Sequence, residues 1–313
     1  MNSSKRKIAV VGTGVIGASW ATCFLAHGYD VAATDPAPGA EARLRQTIAD
    51  QWPAMERIGL SEGASTNRLS FHDNVADAVK DAFFIQENGP ERADIKRETI
   101  KQIDAAAPPD AIIASSSSGI RTSDVQEAAK RPERVLLGHP FNPPHLIPLV
   151  EVAGGKLTSP EFIERAMQLY TDLGKKPIHL KREVPGHIAN RLQAALWREA
   201  FHLVNEGVAS VNDIDAAIAH GPGLRWALLG PFINLHLSGG EGGIRHALEH
   251  LGPPIESWWE DLGEVKITPE LIQSLGKGVD EELQNVDLAE VVEQRNDILL
   301  TMLELKAKSK LVP

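Results

Sequence analysis

The 313-residue chain has one cysteine, no long apolar run and little positive charge. A single cysteine excludes an internal disulfide. Cys23 lies beside Phe24 in an apolar stretch, where a small buried hydrophobe is a better reading than a nucleophile. No apolar stretch approaches the ~20 residues needed to cross a bilayer, so no membrane-spanning helix is expected. Met1 to Lys7 is polar and lacks the apolar core of a secretory leader, and a reducing cytoplasmic setting follows. The formal net charge of −10 argues against a nucleic-acid surface, which needs a basic stripe. Internal repeats and low-complexity tracts are absent too. What remains is a globular composition, 42% hydrophobic and 24% charged. Its length suits two domains, because single cores stop growing near roughly 250–300 residues.

Lys7 to Asp35 reads as one unit. A buried strand, Ile8-Ala9-Val10-Val11, leads into the turn Gly12-Thr13-Gly14-Val15-Ile16-Gly17, then a helix through Trp20 and Phe24 that stops at Gly28. A second strand, Val31 to Thr34, delivers Asp35. Such a unit binds a dinucleotide: Gly12 makes the tight turn, Gly14 admits the pyrophosphate, and Gly17 allows close helix–strand packing. Val15 and Ile16 open the helix, whose unpaired N–H groups face the phosphates. Asp35 is placed for the ribose hydroxyls and would repel a 2′-phosphate, so NAD is expected rather than NADP. The plain alternative is an ordinary strand–helix turn with incidental glycines.

Short continuous apolar runs follow at Phe83–Ile85, Ala111–Ala114 and Val135–Leu137, with helical stretches between them. Continuous runs suit strands covered on both faces of a parallel sheet. Leu149–Val152 and Pro177–Leu180 extend the set, around a helix from Pro160 to Leu173 capped by Gly174. Beyond Val184-Pro185-Gly186 the period becomes helical, with Asn212 capping a short helix and a last helix over about Leu288 to Lys306. The expected architecture is α/β: a Rossmann-type doubly wound sheet domain over residues 1–185, then an all-α domain over 186–313. Ligands of such sheets bind beyond the carboxyl ends of the strands, which places the substrate between the two domains.

Oxidising an alcohol with NAD requires a base for the hydroxyl proton, and histidine, with a pKa of about 6.5, suits it. Of the 11 histidines, His139 stands at the carboxyl end of a strand and before the rigid Pro140-Phe141-Asn142-Pro143-Pro144. Glu151 interrupts the apolar Leu149, Val150 and Val152, where a carboxylate is costly without a partner. Pairing the two satisfies the acid and holds the imidazole in one tautomer. A purely structural His–Glu pair would leave the same pattern.

Gly138 to Pro144 with Pro148 to Val152, the run Ala114 to Ser118, and Pro185-Gly186-His187-Ile188-Ala189-Asn190-Arg191-Leu192 together resemble the 3-hydroxyacyl-CoA dehydrogenase family. With the glycine turn, the likeness extends from Lys7 to about Gly243. It implies that His139 is the general base, oriented by Glu151, and that Ser118 and Asn190 hydrogen-bond the reacting oxygen. It further implies that Glu91, Lys96 and Ser116 serve the cofactor. A serine-rich turn or a solvated helix face would explain Ser118 or Lys96 had either stood alone.

Within the family, Gly221 to Pro231 resembles the branch holding lambda-crystallin, L-gulonate 3-dehydrogenase and L-carnitine dehydrogenase; Ser238 to His246 and Ala195 to Ala200 look most like the last. These act on free 3-hydroxy carboxylates. From Gln46 to Val79 only Arg57 and Arg68 are basic, a poor cradle for the phosphates of an acyl-CoA. Arg225 suits a carboxylate and Trp226 a trimethylammonium group, with Asn142 a third substrate contact. Arg225 could instead pair with an acid across a dimer interface, and Trp226 could be core or interface packing. His246 and His250 lack a third ligand in view, and hydride transfer needs no metal. The expected function is NAD-dependent oxidation of a small free L-3-hydroxy acid, carnitine-like first, then gulonate or 3-hydroxybutyrate. A short 3-hydroxyacyl-CoA substrate is the rival, and a crystallin-like structural role the alternative of another class. A homodimer is expected from the family and from Trp258-Trp259.

Overall fold

A computed structural model describes residues 7–309, which divide into two compact units at Arg191 and Leu192. Most of the polar leader thus lies outside the described residues.

The first unit is built on β1 (Lys7–Val11), α1 (Val15–Ala26), β2 (Asp30–Thr34), α2 (Ala40–Ile58), β3 (Leu69–His72), α3 (Val75–Val79), β4 (Ala82–Glu87), α4 (Ala93–Ala106), β5 (Ile112–Ser115), α5 (Thr122–Val125), β6 (Val135–Pro140), β7 (Leu149–Gly154), α6 (Pro160–Asp172) and β8 (Lys176–Leu180). Among the described residues these strands form one eight-stranded sheet, ordered β3-β2-β1-β4-β5-β6-β7-β8. From α1 the burial is continuous, Gly17 to Ala26, as expected of a helix apolar all round. Its Trp20 stacks on Phe24 at 5.3 Å and leans on Tyr170 at 5.5 Å, and Phe84 meets Tyr170 edge-on at 5.6 Å. Ile8, Val10, Leu136 and Val152 complete this core.

Two expectations need correction. The sheet is not wholly parallel: β7 runs antiparallel to β6, while β8 is parallel to β7. Within the Gln46–Val79 stretch, β3 adds an edge strand beside β2. The Asn212 cap is really Ser210, whose hydroxyl accepts from Asp213 N while Asp213 closes a capping box onto Ser210.

α7 (Ala189–Asn205) starts in the first unit and continues into the second. The second unit also holds α8 (Val211–Ala219), α9 (Pro222–Trp226), α10 (Pro231–Ser238), α11 (Gly243–Asp261), α12 (Pro269–Glu282) and α13 (Leu288–Lys308). Few of its side chains are buried; Ala247, Leu271 and Leu300 are.

Candidate active site

The antiparallel pairing of β6 and β7 sets His139 directly opposite Glu151. His139 Nδ1 lies 2.9 Å from Glu151 Oε2, with both side chains buried. The other carboxylate oxygen, Oε1, accepts from the backbone N–H groups of Ile188 (2.8 Å) and Ala189 (3.0 Å), at the start of α7. Burial alone would raise the Glu151 pKa. His139 and the two N–H donors outweigh it and hold the carboxyl below its ordinary value. An ionised Glu151 can only accept, so Nδ1 carries the proton and Nε2 is left as a base. This is the arrangement proton abstraction needs.

Sequence reasoning passed over a second imidazole. His187 is 4% exposed, has a positive φ of 53°, and sits 5.0 Å from His139 ring to ring. Its Nε2–H donates to the Ser117 carbonyl at 3.1 Å. Burial pushes its pKa down, against the opposing Ser117 bond, and keeps it neutral beside the base. The only signal in the sequence was a histidine in a Pro-Gly turn, which says nothing about where its ring points.

Ser118 is exposed at the end of a loop that is tied down on its other side. Glu91 Oε1 accepts from Ser117 Oγ (2.6 Å), Gly119 N (2.7 Å) and Ile120 N (3.1 Å). Burial opposes the charge on Glu91, but these three donors and Lys96 hold its pKa below the usual range. Glu91 therefore shapes the loop that presents Ser118. Asn190 is partly buried in the first turn of α7, next to the Ala189 N–H that binds Glu151. Asn142 is exposed in the loop after β6, at a cis bond to Pro143. That loop is anchored by buried Lys175, which donates to the carbonyls of Pro144 and Ile147.

At the glycine turn, Gly12 has φ +88°, and a Cβ there would come within 2.8 Å of the Asn88 backbone. A Cβ on Gly17 would lie 1.9 Å from the Gly12 carbonyl oxygen. Gly14, with exposed Val15 after it, is different: a Cβ there meets no protein atom within 4 Å. The turn is closed toward the protein and open at the N-terminus of α1, where Gly14 caps the helix without a side-chain bond and Ile16 follows, half-buried. These residues fit a bound pyrophosphate. Asp35 follows β2 and accepts from Thr13 N (2.7 Å), Thr13 Oγ1 (3.2 Å) and Ala37 N (2.9 Å), which locks the acid against the turn.

Lys96 is 1% exposed, and its ammonium bonds Glu87 Oε1 and Oε2 (3.1 and 3.0 Å) and the Gly89 carbonyl (3.1 Å). All its donors are engaged, so a bond to the cofactor would have to replace one of these. Glu87, fully buried, also accepts from Ser115 Oγ and Gly89 N, both at 2.6 Å. Ser116 Oγ donates to Asn88 Oδ1 at 2.7 Å. On the helical unit, Arg225 is exposed and Trp226 is 46% exposed in the short helix α9. His246 and His250 stack at 6.3 Å, and no cluster of three or more metal-ligating side chains occurs among the described residues.

Residues 7–184 match the family described as 3-hydroxyacyl-CoA dehydrogenase, NAD binding domain, and residues 186–276 match its C-terminal domain. The chain is 50% identical over 306 residues to an L-carnitine dehydrogenase of Bacillus cereus, covering 98% of this chain and 94% of the relative. It is 49% identical to the L-carnitine dehydrogenase of a Pseudomonas species, over 97% and 95% of the two chains. Among solved structures, a 5-formyl-3-hydroxy-2-methylpyridine 4-carboxylic acid 5-dehydrogenase, described as an NAD+-dependent dismutase, superposes with a TM-score of 0.85 at 27% identity, over 97% and 99% of the chains. The 3-hydroxybutyryl-CoA dehydrogenase of Escherichia coli gives 0.63 at 28% identity, over 75% of this chain and 49% of that one.

Proposed function

The chain belongs to the 3-hydroxyacyl-CoA dehydrogenase family and is an NAD-dependent oxidoreductase, and we propose that it oxidises the 3-hydroxy group of L-carnitine to the 3-keto acid. The observation that carries this reading is near-full-length identity of about half with relatives named for that activity. The poverty of cations between Gln46 and Val79 supports a free acid over a CoA ester, since Arg68 there is engaged by Asp30 at 3.2 Å. When bound, NAD supplies the hydride acceptor. His139 Nε2 takes the hydroxyl proton as the carbinol C–H bond breaks and the C=O bond forms, and Glu151 stabilises the resulting imidazolium from Nδ1. Ser118 and Asn190 are assigned to the reacting oxygen. Gly12, Gly14, Val15, Ile16, Gly17, Asp35, Glu91, Lys96 and Ser116 are assigned to the cofactor.

Arg225, Trp226 and Asn142 are the candidates for recognising the carboxylate and the ammonium group. We also assign the protein to the cytoplasm, and as a homodimer: α10 and α11 leave Phe232, Trp258 and Trp259 more than half exposed, area a second copy would cover. No described helix is long and apolar enough to cross a membrane.

The test is NADH formation at alkaline pH from L-carnitine, L-gulonate, L-3-hydroxybutyrate and the CoA ester of the last. Preference for carnitine is expected. Turnover of the ester alone overturns both the substrate and the role given to Arg225.

A further inference from the structure

Gln86 is a fully buried amide in β4, on a strand whose other central positions, Phe84 and Ile85, are apolar. A buried amide is costly unless every polar atom is engaged. Here each end is. Nε2 donates to Ser116 Oγ (2.8 Å) and to the Gly138 carbonyl (3.1 Å), and Oε1 accepts from Tyr170 OH at 2.8 Å. A carbonyl can only accept, so Gly138 dictates which end of the amide faces it. Tyr170, buried in α6, can only be the donor: burial raises its pKa, with Gln86 opposing, and the phenol stays protonated.

The chain of bonds does not stop there. Ser116 Oγ donates to Asn88 Oδ1 at 2.7 Å, and Asn88 N donates to the Val11 carbonyl at 2.7 Å, one residue before Gly12. Asn88 also supplies the backbone against which Gly12 is pressed. Gly138 immediately precedes His139, and a Cβ on it would fall 2.0 Å from Tyr170 OH. One directional path thus joins α6, the strand that carries the base and the turn that faces the dinucleotide.

We propose that Gln86, oriented by Tyr170, is a positioning residue that sets the spacing between His139 and the cofactor turn at Gly12 and Ser116. This rests on His139 acting as base in the reading above. Neither residue touches the reacting atoms; they act through Gly138 and Asn88. Hydride transfer is sensitive to such spacing, since a misplacement of about 1 Å can cost about 100-fold.

The test uses the full-length protein with Tyr170→Phe, which removes one hydroxyl from an intact ring, and Gln86→Met, which keeps the shape of the side chain. Thermal melting, the NADH dissociation constant from fluorescence quenching, kcat, KM and the primary isotope effect with substrate deuterated at the carbinol carbon are measured for each. Expected in Tyr170→Phe is a kcat about tenfold lower and a larger isotope effect, with KM and NADH affinity within about threefold of wild type. A folded Tyr170→Phe with kcat and isotope effect unchanged overturns the proposal, whatever its melting temperature. If Gln86→Met does not fold, Tyr170→Phe decides. If the wild type turns over no 3-hydroxy acid, the functional reading falls. The spacing is then judged from the downfield Nδ1 proton resonance of His139 in the NADH complex: it must shift in Tyr170→Phe, and an unchanged resonance overturns the proposal.

Discussion

At the scale of single residues, the site depends on what each buried charge is bonded to. Glu151 accepts from one imidazole and two backbone N–H groups, so it orients His139 and also fastens the start of α7. Glu151→Gln keeps the shape but lets the amide present an N–H to Nδ1, which favours the wrong tautomer. We expect kcat to fall about 10²–10⁴-fold, with NADH affinity within a few-fold, checked by steady-state kinetics and fluorescence titration. His145 gives a pH prediction. Its Nδ1 lies 3.2 Å from Ser19 Oγ, which also accepts from Gln51 Nε2 at 3.0 Å. Burial, and then Lys175, push its pKa down to about 4. Unfolded, it takes a proton below about pH 6.5, whereas the folded state refuses one until about pH 4. The unfolded state therefore binds more protons in that window, and stability falls as pH falls, by up to about 3 kcal/mol, with nothing further lost below pH 4. His145→Asn, which cannot titrate, should lose less stability than wild type between pH 7 and 5 in urea denaturation.

At the scale of elements, the one antiparallel pair in the sheet matters most. Had β7 joined β6 in parallel by a helical crossover, the residues facing His139 would come from elsewhere in the chain. The hairpin-like return through Asn142 to Pro148 brings Glu151 opposite His139 by register alone. Packing of α6 on this pair leaves no room at Gly138, where a Cβ would also sit 3.0 Å from Tyr170 Cζ and 3.1 Å from Ala114 Cβ. Gly138→Ala should therefore destabilise by about 2 kcal/mol. Adding Tyr170→Phe removes the nearest clashing atom and should restore part of that, a coupling that a double-mutant cycle by chemical denaturation would reveal.

At the scale of the whole molecule, the two units have different kinds of core. The sheet unit encloses its apolar side chains on both faces, in two clusters around β1. The helical unit leaves Phe232 75%, Trp259 65% and Trp258 62% exposed. Apolar area of that extent on a solvent-facing unit favours association. Sedimentation equilibrium should give twice the 33.9 kDa chain mass. Placing charge at the tryptophans, as Trp258→Glu with Trp259→Glu, should shift the mass toward one chain; a wild type that stays monomeric at micromolar concentration would refute the dimer.

The sequence by itself determined what depends on neighbours along the chain. The strand–glycine–helix unit, the apolar strands and the change to helical period are local patterns, and an acid stranded in an apolar strand announced the need for a partner at Glu151. Glu87, set between Gln86 and Asn88, gave no such signal, and its bond to Lys96 came from the fold. Only tertiary structure decided which groups meet across the sheet. Strand direction is not written in an apolar run, so the antiparallel course of β7 beside β6 was invisible, although the stranded acid at Glu151 pointed to His139 as its partner. A glutamine or a tyrosine in a strand or helix does not say what lies opposite, so the Tyr170–Gln86–Gly138 path was invisible too. The physical reason is range: helix and strand periods are set by bonds a few residues apart, whereas Gln86 to Gly138 and Tyr170 join segments 52 and 84 residues apart that only the finished fold brings within hydrogen-bond distance.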